Sequence, residues 1–267
     1  MIKSIKTTVL GAVASLVAAT TTQAAIISDI VFVIDDSVSM ANDINQVRQR
    51  IVQFNTAMVN AGIDANYGLV SFGGPGGRGG AISCSNVVKL QQDVTSFGAF
   101  NAPGGAFQSL GAPCQPSEPG SEATLFAMNN LTFRTDSIIN TILITDEDDD
   151  SSQSDFLAAD AALAAKNALF NYIGRPGVGT TNARYGVLAA NHGGQAFDIR
   201  NFRSDPDPFF ANFIDTKVQE IIDTCDDNPN LPGCTGGGTP VSEPGTIGLI
   251  GFALFGLGVY ARRRRKA

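Results

Sequence analysis

The sequence predicts an α/β fold: a doubly wound, mostly parallel sheet with helices on both faces. An N-terminal signal peptide precedes it, and a short C-terminal transmembrane helix follows. Three observations carry this. The segments 26–34 (IISDIVFVI), 67–72 (YGLVSF) and 138–145 (IINTILIT) are nearly continuous apolar runs rich in β-branched residues. Such runs suit strands covered on both faces. Segments with helical spacing alternate with them. Finally, a cluster of oxygen-bearing side chains follows the first run, where open α/β sheets bind their ligands.

Residues 45–59 place Val47, Ile51, Phe54 and Met58 on one helical face. The stretch 73–80 (GGPGGRGG) reads as a flexible loop and 87–90 as an edge strand. A short helix is expected over 121–131. An Ala-rich helix is expected over 154–168, with Ser154 as its N-cap. Two further strands are expected at 169–173 and 195–199. The closing amphipathic helix spans 208–224, with Phe209, Phe213, Val218 and Ile221 near the helical period.

Both ends of the 267-residue chain read as processing signals. Lys3 and Lys6 precede a short apolar stretch, 8–19, and then small residues that suit cleavage after Ala24. Residues 242–267 combine a polar motif (Ser242, Glu243, Pro244), an apolar Gly-rich run at 246–260 and a basic cluster at 262–266. The basic cluster fixes that end on the cytoplasmic side. The net charge is −7, and setting aside the two ends, with their seven basic residues and Glu243, leaves −13 on residues 25–241. An acidic body of this kind repels nucleic acid and attracts cations.

The four cysteines, Cys84, Cys114, Cys225 and Cys234, are an even number in a chain read as exported, which favours disulfides. Spacing suggests Cys84 with Cys114 and Cys225 with Cys234, although four cysteines allow three connectivities. A zinc site has little support, because no C-x-x-C pair exists and His192 is the only histidine.

The first apolar run ends in Asp35-Asp36-Ser37-Val38-Ser39-Met40. A D-x-S-x-S run at a strand end gathers one carboxylate and two hydroxyls on a single turn. These are hard oxygen ligands, suited to Mg²⁺, Mn²⁺ or Ca²⁺.

DIVFVIDDSVSM resembles the opening of a von Willebrand factor A (vWA) domain, and its D-x-S-x-S resembles a metal-ion-dependent adhesion site. The similarity runs over about 28–224 in the order of strands and helices, so the fold it implies is vWA/Rossmann-like. It implies five residues around one divalent cation, most simply Mg²⁺: Asp35, Ser37, Ser39, Glu122 and Asp146. Glu122 stands where the family usually has a Thr, with Ser121 and Thr124 as alternatives. Asp36 is expected to point away. The acids that follow Asp146 read as a solvated loop, or as a second cation site, most simply for Ca²⁺, formed by this cluster or by Asp43 near the first loop. The tail resembles a PEP-CTERM sorting signal, with Ser242 in place of the usual first Pro. This implies a transient membrane anchor, an exosortase-like processing enzyme and the inner membrane of a Gram-negative bacterium. An ordinary C-terminal anchor is the alternative.

The expected organisation is a signal peptide at 1–24, a vWA domain at 25–224, a disulfide loop and Gly-rich linker at 225–241, and a sorting segment at 242–267. The resemblance implies a secreted or surface-associated binding protein, whose metal holds an oxygen ligand from an extracellular protein or matrix polymer. The alternative is a structural surface or exopolysaccharide-matrix protein in which the metal only stabilises loops. An enzyme is not expected: neither G-x-S-x-G nor H-E-x-x-H occurs, and a lone His before two glycines suits a structural role.

Overall fold

The strands form because the apolar runs bury both of their faces. The computed structural model describes residues 25–74, 84, 86–114 and 117–234. The signal peptide, most of the Gly-rich loop, the linker and the sorting segment lie outside the described residues. A six-stranded sheet is built from β1 (Ile26–Asp35), β2 (Ile63–Phe72), β3 (Val88–Ser96), β4 (Ile138–Ile144), β5 (Leu169–Gly174) and β6 (Ala196–Asp198). Their spatial order is β3-β2-β1-β4-β5-β6. All neighbours are parallel except β2 and β3. In β1, Ile30, Phe32 and Ile34 join one core, while Val31 and Val33 join the other.

The first core lies beneath α1 (Ala41–Asn60) and α8 (Pro206–Asp227). The expected face of α1 is buried at Val47, Ile51, Phe54 and Met58. The second core lies beneath α4 (Gly120–Asn130), α5 (Gln153–Ala165) and α6 (Tyr185–Asn191). Three short helices, α2 (Phe97–Phe100), α3 (Ala106–Ser109) and α7 (Ile199–Ser204), complete the described part. Among the described residues, no helix is long and apolar enough to cross a membrane.

Several boundaries differ from the sequence expectation. β3 is nine residues long rather than four, because its edge position exposes one side and lets polar residues interrupt the apolar pattern. The N-cap of α5 is Ser152 rather than Ser154: Ser152 Oγ accepts from the Asp155 amide at 3.1 Å. A helix, α6, lies ahead of the strand expected at 195–199, where no element was expected. On α8 the buried face is Phe210, Phe213, Ile214, Lys217 and Ile221, so Phe209 and Val218 sit at its margin.

Both expected disulfides are present. Cys84 bonds Cys114, and Cys225 bonds Cys234. His192 Nε2 lies 2.9 Å from Asp160 Oδ1, tying the end of α6 to α5, as suits a structural histidine.

Candidate metal centre

The chain leaves β1 on one side towards β2 and returns on the other side at β4, so the gap beyond the carboxyl ends of β1 and β4 is the topological switch point of the sheet. Asp35 is the last residue of β1, and Asp146 follows β4 by two residues. Asp35 Oδ1 accepts from the Ser37 amide at 2.7 Å, and Oδ2 accepts from Thr145 Oγ1 at 2.9 Å. The Ser37 and Ser39 hydroxyls are 3.0 Å apart, and Ser39 Oγ donates to Asp146 Oδ1 at 2.9 Å. The side chains of Asp35, Ser37, Ser39 and Asp146 thus form one chain of oxygen atoms, with Ser39 on the exposed side.

The third carboxylate is Glu118, which the sequence expectation missed. Carboxylate oxygens of Asp35, Glu118 and Asp146 all lie within 4.8 Å of one another, and all three residues are buried. Glu118 sits in the irregular segment just ahead of α4. Its amide donates to Asp150 Oδ2 at 2.9 Å, while its carbonyl accepts from the Asp150 amide at 3.3 Å. Glu122 lies elsewhere. It is exposed in the first turn of α4, its amide donates to Ser151 Oγ, and its acidic neighbours are Asp155 and Asp149. The alternatives are also engaged elsewhere, since Ser121 Oγ donates to Asp149 and Thr124 Oγ1 to the Gly120 carbonyl. Glu122, the residue the resemblance implies, lies inside the helix, whereas the inward carboxylate belongs to the loop before it. The signal that could have found it is the run Ser117-Glu118-Pro119-Gly120, a carboxylate just ahead of a Pro-Gly pair that marks the helix start.

Glu118 is held there by tight packing. A Cβ on Gly120 would lie 2.4 Å from the Tyr185 hydroxyl, so only glycine lets α4 begin this close to α6. The loop after β1 is also stitched to the disulfide. The Cys114 amide donates to the Asp36 carbonyl at 3.1 Å, and the Val38 amide donates to the Cys114 carbonyl at 3.2 Å. Asp36 turns away as expected, with its carboxylate accepting from Ser71 Oγ at 2.8 Å and Lys89 Nζ at 3.0 Å.

The acids after Asp146 are not uniformly solvated: Asp150 is exposed and Glu147 and Asp148 are half-buried, but Asp149 is not part of a solvated face. Asp149 is buried, and its carboxylate accepts from the amides and hydroxyls of Ser121 and Ser151 and from Arg184. These donors use its acceptor positions, so a second cation finds no vacancy there. Asp148 accepts from the Thr180 amide. Beside Asp43 the cation is Arg203, whose Nη2 lies 2.6 Å from Asp43 Oδ2 and 2.8 Å from Asp146 Oδ2.

Burial raises the Asp35 carboxyl above its ordinary range, against the pull of hydrogen bonds from Glu118, Ser37 and Thr145. The Glu118 carboxyl is raised strongly, first by burial and then by the Asp35 charge beside it. Close, dry carboxylates repel one another unless a proton or a cation intervenes. With two hydroxyls adjoining, this donor set fits a hard divalent cation.

Residues 240–265 match the family described as the PEP-CTERM protein-sorting motif, which marks an exported, surface-directed protein handled by exosortase processing. No curated protein matches the chain. Among solved structures, von Willebrand factor type A from Catenulispora acidiphila superposes with a TM-score of 0.50 at 15% identity, over 73% of this chain. The chain spans 42% of the length of that structure. The SpRpn10 VWA domain gives a TM-score of 0.47 at 12% identity, over 64% of this chain and 87% of that one. The fold is therefore of the von Willebrand factor A type.

Proposed function

We propose that this exported chain, with its vWA-type fold and C-terminal sorting motif, is a surface binding protein. It uses a divalent cation to hold an oxygen ligand from an extracellular protein or matrix polymer. The observation that supports this most is the convergence of Asp35, Glu118 and Asp146 at the switch point of the sheet, with the Ser37 and Ser39 hydroxyls in the same hydrogen-bonded chain. Bound there, the ion supplies a Lewis-acidic position at which a partner carboxylate or other oxygen binds. Asp35 and Glu118 balance its charge, Ser37 and Ser39 contribute neutral oxygens, and Asp146 approaches from β4. Mg²⁺ is the first choice for this oxygen set, with Mn²⁺ and Ca²⁺ to be compared.

Calorimetry of the purified protein with Mg²⁺ and Mn²⁺ tests the site. A saturable event is expected, abolished in Asp35→Ala and in Glu118→Ala. An event unchanged in both variants would overturn the assignment. Capture of surface polymers and proteins from the host's own culture, with Mg²⁺ or with EDTA, tests the role. Equal capture in both would leave the ion a purely structural part.

The ends of the chain belong to the same reading. A signal peptide at 1–24, the domain at 25–224, the disulfide loop and linker at 225–241 and the sorting segment at 242–267 fit a protein that crosses the inner membrane. It is held there briefly and loses the segment beyond Pro244. Intact-mass analysis from the native host is expected to lack residues 245–267. A mass that retains them points to a permanent anchor.

A further inference from the structure

We propose that Arg203 sets the divalent-ion affinity of this site, acting as a built-in cation that competes for Asp146. The inference rests on the reading of the site as a divalent-ion site. Arg203 lies in the last turn of α7. Its Nε donates to Asp43 at 3.0 and 3.1 Å, and Nη2 donates to Asp43 Oδ2 at 2.6 Å and to Asp146 Oδ2 at 2.8 Å. Asp43, only 2% exposed, clamps the fork on two sides, so the guanidinium is fixed rather than free to swing aside. The other oxygen of Asp146 accepts from Ser39. Asp146 is thereby divided between the hydroxyl chain of the ion site and a resident positive charge.

Two consequences follow for an incoming divalent ion. Arg203 withdraws one oxygen of Asp146 from the donor set, and it adds like-charge repulsion, which the 38% exposure of its side chain screens in part. Among the described residues no Lys or Arg forms an ion pair with Asp35 or Glu118, so the ion's own charge is needed most beside them. The arrangement places a fixed cation at one end and the carboxylates that need one at the other. Affinity is then lower than five oxygen donors alone would give. The guanidinium governs it without touching the ion.

The test is Mg²⁺ calorimetry on the purified full chain, comparing wild type with Arg203→Gln, Arg203→Lys and the double variant Asp43→Asn/Arg203→Gln. Arg203→Gln is expected to bind at least about tenfold more tightly, because a like charge a few ångströms away has gone. Arg203→Lys keeps the charge and is expected to stay within roughly threefold of wild type. The double variant removes the unpaired Asp43 charge, so it reports on affinity if the single variant folds poorly; a gain of at least about threefold is expected. Thermal melts in EDTA are expected to show Arg203→Gln less stable than wild type, so a merely structural salt bridge would lower stability without raising affinity. Unchanged or weaker binding in the Gln variants, beside a wild-type event that Asp35→Ala abolishes, overturns the role of Arg203 alone. Absence of any event in wild type overturns the site itself.

Discussion

Replacing Asp149 with Asn is expected to loosen the proposed metal centre from a distance and to destabilise the domain by about 3 kcal/mol. Asp149 is a buried anion that joins the start of α4 to the loop after β4, the two segments that carry Glu118 and Asp146. Its Oδ1 accepts from the Ser121 and Ser151 amides at 3.2 and 3.1 Å and from Ser151 Oγ at 2.6 Å. Its Oδ2 accepts from Ser121 Oγ at 2.5 Å and Arg184 Nη1 at 3.2 Å. Removing one member of a buried ion pair typically costs about 3–5 kcal/mol. The Arg184 side chain keeps 15% exposure, so water partly screens the stranded charge and the lower end applies. The amide NH₂ of Asn would also face donors where the carboxylate faced acceptor-seeking groups. At about 2–4 °C per kcal/mol for a domain of this size, the melting temperature in EDTA should fall by roughly 6–12 °C. Mg²⁺ affinity should fall with it, because Glu118 loses the frame that aims it. Asp148→Asn is the control and is expected to cost under about 1 kcal/mol, since a half-exposed group with few partners contributes little. A loss below about 1 kcal/mol for Asp149→Asn, or an equal loss for both variants, would refute the reasoning.

Lys217 supplies a pH test. Burial pulls its ammonium down to about 8, with Glu220 opposing the fall. Because the folded pKa lies below the unfolded value of about 10.4, the buried charge costs stability at neutral pH, and that cost is relieved as pH rises from about 8 to 10.4, by about 3 kcal/mol. Denaturant melts of wild type and Lys217→Met between pH 7 and 10 should show wild type gaining relative to the variant, and a flat difference would contradict it. Replacing Cys225 and Cys234 with Ser should cost on the order of 2–3 kcal/mol, the loop-closure value for so short a segment, read by urea unfolding without reductant. No loss would mean the bridge constrains nothing that the fold does not already hold. Gly120→Ala should destabilise by about 1–3 kcal/mol through overpacking against Tyr185, and Gly120→Ala/Tyr185→Phe should recover part of that. Failure of the double variant to recover any stability would count against the contact.

The sheet was legible in the sequence because its central strands are buried on both faces, so hydrophobicity alone marks them. The expected apolar runs became β1, the carboxyl end of β2, and β4. Asp35, Ser37 and Ser39 were legible for a related reason. They lie on one turn, so their convergence is a local property of consecutive residues, and the structure joins them to Asp146 through Ser39. The disulfide pairing was favoured by spacing but left open among three connectivities, and the structure pairs the cysteines as spacing suggested.

What local pattern does not encode is which distant side chains meet. Glu118 and Glu122 are four residues apart and chemically identical, yet only Glu118 faces Asp35. That choice depends on Asp150 gripping the Glu118 amide, on Asp149 anchoring Ser121, and on Gly120 admitting Tyr185. Each partner lies 28 or more residues away. Arg203 meeting Asp43, and Lys217 facing the core from an amphipathic helix, are likewise consequences of packing between α1, α7, α8 and the sheet. Composition and periodicity determined the layers of this protein and the first loop of its site. The tertiary structure alone decided which carboxylates face one another and which cation stands among them, because electrostatic neighbours are set by folding the chain back on itself and not by distance along it.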